Sequence, residues 1–282
     1  MTLALSIETS CDETSVAVVN EKAEILSQIT TNQIEHKKFG GVVPEVASRA
    51  HLQILQKNIP KCLKKANLDI DDIDFFCATC GPGLIGGLLV GSITAKSMAI
   101  NLNKPFYPIN HLEGHILSPL INNELQFPNI TLLLTGGHTQ AYLVKDIHKY
   151  ELLGESVDDA IGESFDKVAK LINLPYPGGP EIEKLAIKGN YNKYILPHPL
   201  NKKENTNFSF SGIKTAVSLI VKKQKKITLN FKQDLAASFQ KKITVILESK
   251  LEKILEIINK KNIKIKNISV VGGVAANLAI RK

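Results

Sequence analysis

The sequence predicts an α/β protein made of two related lobes. Three observations carry that reading. Apolar runs of strand length alternate along the chain with longer segments whose apolar residues recur at helical spacing. A strand, a small polar turn and a returning strand stand at the N-terminus and again near residue 130. The length, 282 residues with 44% hydrophobic side chains, suits one large or two medium domains with a real core.

Taken in order, residues 3–7 read as a strand, 8–15 as a polar turn and 16–19 as the returning strand. Residues 24–33 add another strand. Residues 43–63 read as a helix, with Pro44 suited to its first turn. Residues 71–79 run into a buried strand, and the segment GPGLIGGLLVG then opens a helix that reaches about residue 101. A short strand at 105–109 and a helix at 112–120 follow. The opening pattern then recurs: a strand at 130–134, the turn Thr135-Gly136-Gly137-His138-Thr139 and a strand at 140–144. A helix at 158–171, a YPGGP turn at 176–180 and a helix at 181–189 come next. The FSFSG turn leads into a helix ending near 221, and residues 231–259 form a long amphipathic helix. The strand at 265–271 ends in Gly272-Gly273, with a new helix from about 275. No low-complexity linker separates the repeats. Lobes at residues 1–127 and 128–282 are therefore expected to pack directly, with a cleft between them.

Charge is unevenly spread. Residues 1–140 carry 10 basic and 13 acidic side chains, and residues 141–282 carry 25 and 14, giving a formal net charge of +8. A basic half suits a polyanion such as nucleic acid, but 33 of the 35 basic residues are Lys, so compositional drift explains much of it. The Lys runs at 202–203, 222–226 and 260–266 fall at helix ends or in loops, as solvated surface. Four cysteines in so long a chain do not make a disulfide scaffold. Cys77 and Cys80 lie three apart in a strand and face opposite ways, so they share no metal. Residues 75–95 are uncharged and long enough to suggest a membrane span, but glycines and Pro82 interrupt them. No basic-then-apolar leader opens the sequence. A reducing, cytoplasmic setting without membrane insertion is the expectation.

Several residue patterns carry chemistry. The turns at 9–14, 135–139 and 272–276 each follow an apolar strand and offer backbone amides of Gly, Ser or Thr, the groups that hold phosphate oxygens. One such turn is ordinary in any hairpin; three favour a nucleotide site. His111 and His115 are four apart and share one face of a helix, which suits one metal ion. Glu113 lies on another side, so this is not the HExxH pattern of metalloproteases. Asp12 and Glu13 put two carboxylates in the first turn, able to orient water, a metal or a phosphate-bound intermediate, or simply to cap a neighbouring element. Asp158 and Asp159 read as N-terminal charges of the following helix. Glu163 and Asp166, and Glu181 and Glu183 after the PGG turn, could bond a ribose or stand on the surface.

Together these residues form a signature. SIETSCDETSVAVV, GGVVPEVASRAH, GPGLIGGLLVG, NHLEGH, LLLTGGHTQ, LLGESVDDAIGESFDKVAKLI, YPGGP, FSFSGIKTAV and VVGGVAAN stand in order over essentially the whole chain. The chain closely resembles the TsaD family, the tRNA N6-adenosine threonylcarbamoyltransferases. The resemblance implies the two-lobed actin/sugar-kinase/Hsp70-like ATPase fold. It implies an acyltransferase that moves threonylcarbamoyl from threonylcarbamoyl-AMP to N6 of the adenosine beside the anticodon in tRNAs reading ANN codons. It implies a divalent metal, iron or zinc, with His111 and His115 as ligands. Leu133, Leu134, Thr135, Gly136, Gly137, Asp166, Gly179, Glu183 and Asn277 match positions that contact the adenylate, and Asp12 and Glu13 match acidic residues near the reactive centre. Partners implied are tRNA, a TsaB-like paralogue and a TsaE-like ATPase. The family pattern continues beyond VVGGVAANLAIR into a segment whose aspartate is the third metal ligand, so this chain is expected to supply two of the three. Alternatives are an ATPase or small-molecule kinase of the same fold, an older reading as an endopeptidase, and a truncated paralogue acting as a scaffold or partner.

Overall fold

Alternating side chains build the first sheet. In β2 (Glu13–Asn20), Thr14, Val16, Val18 and Asn20 point inward. It pairs antiparallel with β1 (Leu3–Glu8) on one edge and with β3 (Ile25–Asn32) on the other. β4 (Phe75–Gly81) lies parallel to β1, and β5 (Phe106–Asn110) parallel to β4, giving the order β3-β2-β1-β4-β5. The β1–β4 step needs a crossover, which α1 (Pro44–Ala66) provides. With α2 (Ile85–Asn101) it packs on the sheet around Leu5, Ile7, Val16, Val18, Leu55 and Phe76. These residues belong to one compact unit, Met1–His115. The structure is a computed structural model and describes residues 1–33, 36, 39, 41–122, 125–201 and 205–282.

The second unit, Ile116–Lys282, repeats the plan. Its sheet holds β6 (Asn129–Leu134), β7 (Thr139–Asp146), β8 (Lys149–Glu155) and β9 (Asn267–Val271), in the order β8-β7-β6-β9. The β6–β7 pair is antiparallel and β9 runs parallel to β6, as β1, β2 and β4 do in the first sheet. Its α-helices among the described residues include α4 (Ile161–Leu171), α5 (Gly178–Ala186), α6 (Ser211–Lys222), α7 (Leu229–Lys260) and α8 (Leu278–Arg281). Phe165 of α4 and Phe239 of α7 meet edge to face at 5.0 Å in its core. The short helix α3 (His111–Leu117) opens at the end of the first unit. Residue 128, the expected start of the second lobe, immediately precedes β6 and lies within the second unit.

Four local expectations change. β8 was not read as a strand, because its side chains are mostly half-exposed and alternate weakly at the sheet edge. The helix expected over 158–171 begins at Ile161, and Asp158 caps a different helix, α6: its carboxylate accepts from the Phe210 N–H at 2.8 Å and the Ser211 N–H at 3.2 Å. α5 starts three residues early, since Pro180 needs no donor in a first helical turn. α3 gives way at Ser118 to a 3-10 turn over Ser118–Asn122, next to Pro119. Cys77 is buried and Cys80 exposed on β4, and both thiols are free. Lys202 and Lys203 lie outside the described residues. Among the described residues no helix is long and apolar enough to cross a membrane.

Candidate functional site

In the first unit the site grows from the end of β1. The strand delivers Glu8 and the chain turns through Thr9–Asp12. Glycines in α2 allow the helix to lie against this turn. A Cβ on Gly87 would collide with the Thr9 carbonyl and come within 3.1 Å of His51 Nε2. The Thr9 hydroxyl donates to the Gly87 carbonyl at 2.8 Å. From beneath, buried His51 of α1 fixes the turn, with Nε2 3.1 Å from the Cys11 carbonyl and Nδ1 2.8 Å from Thr14 Oγ1. Burial holds this imidazole below its ordinary pKa range.

The two predicted metal histidines come together on α3, with ring centroids 4.7 Å apart at 78°. His111 Nδ1 lies 3.2 Å from Glu8 Oε2 and 3.2 Å from Ser10 Oγ. Glu8 is held in turn by the Ser10 N–H, donated at 2.6 Å, and by the Thr79 hydroxyl of β4. Burial would raise its carboxyl, but the bonds from His111, Ser10 and Thr79 outweigh it and bring the pKa down to about 2. Two imidazoles one helical turn apart, one backed by a carboxylate, are part of the donor set of a transition-metal site. The residues present thus fit a metal held in part by His111 and His115. Among the described residues no third His, Cys, Asp or Glu completes such a group with them.

Asp12 and Glu13 stand at the outer end of the same turn. The Asp12 carbonyl accepts from the Gln33 N–H at 3.1 Å, and Glu13 opens β2. The Glu13 carboxyl is raised above its ordinary range by desolvation and by the neighbouring carboxylates Asp12 and Glu8. The phosphate nest expected here is compromised, because the Ser10 amide is already occupied by Glu8.

The second unit assembles the other predicted residues around two turns. Leu133 and Leu134 are fully buried in β6, main chain included, between β7 and β9. The Thr135 hydroxyl accepts from the His138 and Gly137 amides at 2.8 and 3.2 Å, which shapes the turn. Gly162 of α4 packs on it: a Cβ there would lie 2.8 Å from both Gly136 Cα and the Thr135 carbonyl oxygen. Gly272, at φ +94°, brings the second turn against the same strand, since a Cβ there would meet the Leu134 carbonyl at 2.5 Å. By contrast, a Cβ on Gly136, Gly137, Gly179 or Gly273 would meet nothing within 4 Å. Packing leaves these four positions open.

The polar residues of this region hold the turns in place. Asp166 Oδ1 accepts from the Gly178 N–H at 2.6 Å and fixes the start of α5. Glu183 Oε1 accepts from the Leu278 N–H at 2.7 Å. Asn277 Oδ1 caps α8 through the Ala279 and Ile280 amides, and its Nδ2 donates to Gln240 of α7 at 3.0 Å. Sequence reasoning missed Glu8 and Gln240, and it offered His51 as a candidate surface for tRNA or a partner, whereas the residue is buried beneath the turn. A lone carboxylate ending an otherwise apolar strand was the one signal for Glu8; the other two act through contacts between distant segments.

Two sheets of matching strand order, each with a small-residue turn after its central strand, define a class: the two-lobed ATPase fold of actin, sugar kinases and Hsp70. A solved structure, component A of (R)-2-hydroxyglutaryl-CoA dehydratase from Acidaminococcus fermentans, matches with a TM-score of 0.56 over 100% of this chain and 86% of its own, at 14% identity. That likeness concerns the fold alone. The family model TsaD, tRNA N6-adenosine threonylcarbamoyltransferase, matches residues 24–282. A relative of that name from Wolbachia sp. subsp. Brugia malayi is 47% identical over 282 residues, which is 100% of this chain and 84% of the relative. Another, from Rickettsia rickettsii, is 48% identical over 281 residues, covering 99% and 82%. The chain belongs to the TsaD family.

Proposed function

We propose that this chain transfers the threonylcarbamoyl group from threonylcarbamoyl-AMP to N6 of the adenosine beside the anticodon in tRNAs reading ANN codons. One observation carries the reading. In a chain 47% identical along its whole length to a transferase of this name, the His111–His115 pair stands ring to ring at 4.7 Å with Glu8 behind it. The acceptor amine is a weak nucleophile, because its lone pair is delocalised into the purine. The donor is a mixed carbamoyl-phosphate anhydride. Transfer forms the C–N6 bond, breaks the bond from the carbonyl carbon to the phosphate oxygen, releases AMP and removes one proton from N6. Glu13, with its raised pKa, is suited to take that proton, and Asp12 beside it to orient the amine.

The turns at Thr135–Thr139 and Gly272–Asn277 would hold the adenylate, with open space at Gly136, Gly137 and Gly179 for its close approach. Glu183 and Asn277 hold the chain at the end of the second turn, and Asp166 fixes the start of α5 beside Gly179. A divalent ion, iron or zinc, bound in part by His111 and His115 would supply Lewis-acid polarisation of a carbonyl. A TsaB-like paralogue, a TsaE-like ATPase and tRNA are the partners, and the cytoplasm is the setting. The test is a reconstituted tRNA modification assay with those partners, read by nucleoside analysis. His111→Ala and His115→Ala together should abolish threonylcarbamoyladenosine. Retained modification would remove the histidines from the mechanism, and no product from the unaltered chain would refute the transferase reading.

A further inference from the structure

We infer that Glu8 is a positioning residue that fixes the tautomer of His111, so that Nδ1 carries the proton and Nε2 is the nitrogen presented to a metal. The inference rests on the metal reading of His111 and His115 given above.

Four contacts bear on it. His111 Nδ1 faces Glu8 Oε2 at 3.2 Å across a sequence separation of 103 residues. Ser10 Oγ is also 3.2 Å from Nδ1. Glu8 is held independently of the histidine, by the Ser10 N–H at 2.6 Å and by the Thr79 hydroxyl. An ionised carboxylate can only accept a hydrogen bond. If Nδ1 were the unprotonated nitrogen, its lone pair would face a negative oxygen with no proton between them. The serine hydroxyl does not decide the matter, because it can donate or accept with equal ease. The carboxylate therefore selects Nδ1–H and leaves the Nε2 lone pair for a ligand. A carboxylate behind a metal-binding histidine orients the ring and raises its basicity, and losing such a partner costs about 10–100-fold in metal affinity.

Glu8 also serves the fold, through Ser10 and Thr79, so the test must separate the two roles. Glu8→Gln keeps the size and an acceptor for the Ser10 amide but removes the charge that selects the tautomer. The first measurement is the 15N chemical shifts of His111 in the full-length, metal-free protein. The unaltered chain should show the Nδ1–H tautomer, and Glu8→Gln a shift toward Nε2–H. The second is zinc affinity by chelator competition, without tRNA or donor. Glu8→Gln should bind zinc about 10-fold or more weakly, while its urea midpoint and circular dichroism stay close to the parent. Ser10→Ala should bind zinc within about 3-fold of the parent, as expected for a partner that does not set the tautomer. A His111 that is Nε2–H in the unaltered chain overturns the inference, whether or not the variant folds. So does a folded Glu8→Gln with unchanged zinc affinity. Failure of the metal reading itself looks different: the unaltered chain takes up no zinc, or His111→Ala binds as tightly as the parent.

Discussion

Gly162→Ala tests whether the Thr135–Thr139 turn is held by packing against α4. The added Cβ would lie 2.8 Å from Gly136 Cα, 2.8 Å from the Thr135 carbonyl oxygen and 3.0 Å from the Gly136 nitrogen. All three atoms are backbone, so no side chain can rotate away. Restoring ordinary contact requires the turn and the helix to separate by roughly half an ångström. Overpacking of this kind costs about 1–3 kcal/mol. Alanine returns up to about 1 kcal/mol through its helix propensity, and less near a helix start. A net loss of about 1–2 kcal/mol is expected, measured as a lower urea midpoint with an unchanged m-value. The affinity for AMP, followed by calorimetry, should fall with it, since the turn is displaced. Gly179→Ala is the counterpart. Its Cβ meets nothing within 4 Å, so stability should hold or rise slightly while AMP affinity falls. A Gly162→Ala protein as stable as the parent would refute the packing argument. A Gly179→Ala protein that binds AMP normally would take that glycine out of the binding surface.

Two further perturbations follow from hydrogen-bonded polar groups, Asp158 at the surface and Lys250 in the interior. Asp158 accepts from the Ser209 and Ser211 hydroxyls and from the Phe210 and Ser211 amides. Burial opposes its ionisation, but these bonds prevail and lower its pKa. Asp158→Ala should therefore cost about 1 kcal/mol at neutral pH in urea unfolding, the size expected for an exposed helix cap screened by solvent. Because the folded pKa is the lower one, that difference should be full above the unfolded value and shrink as pH falls through the folded one; a pH-independent difference contradicts this. Lys250 is fully buried, with Nζ donating to the Leu200 and Asn205 carbonyls at 2.8 and 2.6 Å. Burial, with a smaller push from Lys253, lowers its pKa from 10.5 to about 8. The unfolded chain binds the extra proton between those values, so stability relative to Lys250→Met should rise by about 2 kcal/mol from pH 7 to pH 9.5. A flat difference would mean that the two carbonyls compensate the desolvation.

The repeated strand-turn-strand and the helices were legible because they are local. The apolar runs Leu3–Ile7 and Ile130–Leu134 mark strands that the fold buries almost completely, and the glycines at 136–137 and 272–273 mark where the chain must turn. The paired histidines were legible for the same reason, since one turn of helix fixes their spacing. β8 was not, because an edge strand buries too little for its pattern to register.

The sequence by itself determined the α/β class, the two-lobed repeat, the family and the His111–His115 pair, all of which follow from neighbours in the chain or from motif order. Tertiary structure alone decided what stands behind those residues. Glu8 reaches His111 across 103 positions, Gln240 holds Asn277 across 37, and Asp158 serves a helix that begins 53 residues later rather than the one beside it. Hydrogen bonds and close backbone approaches of this kind depend on where folding brings distant segments, and that position leaves no periodic trace in the chain.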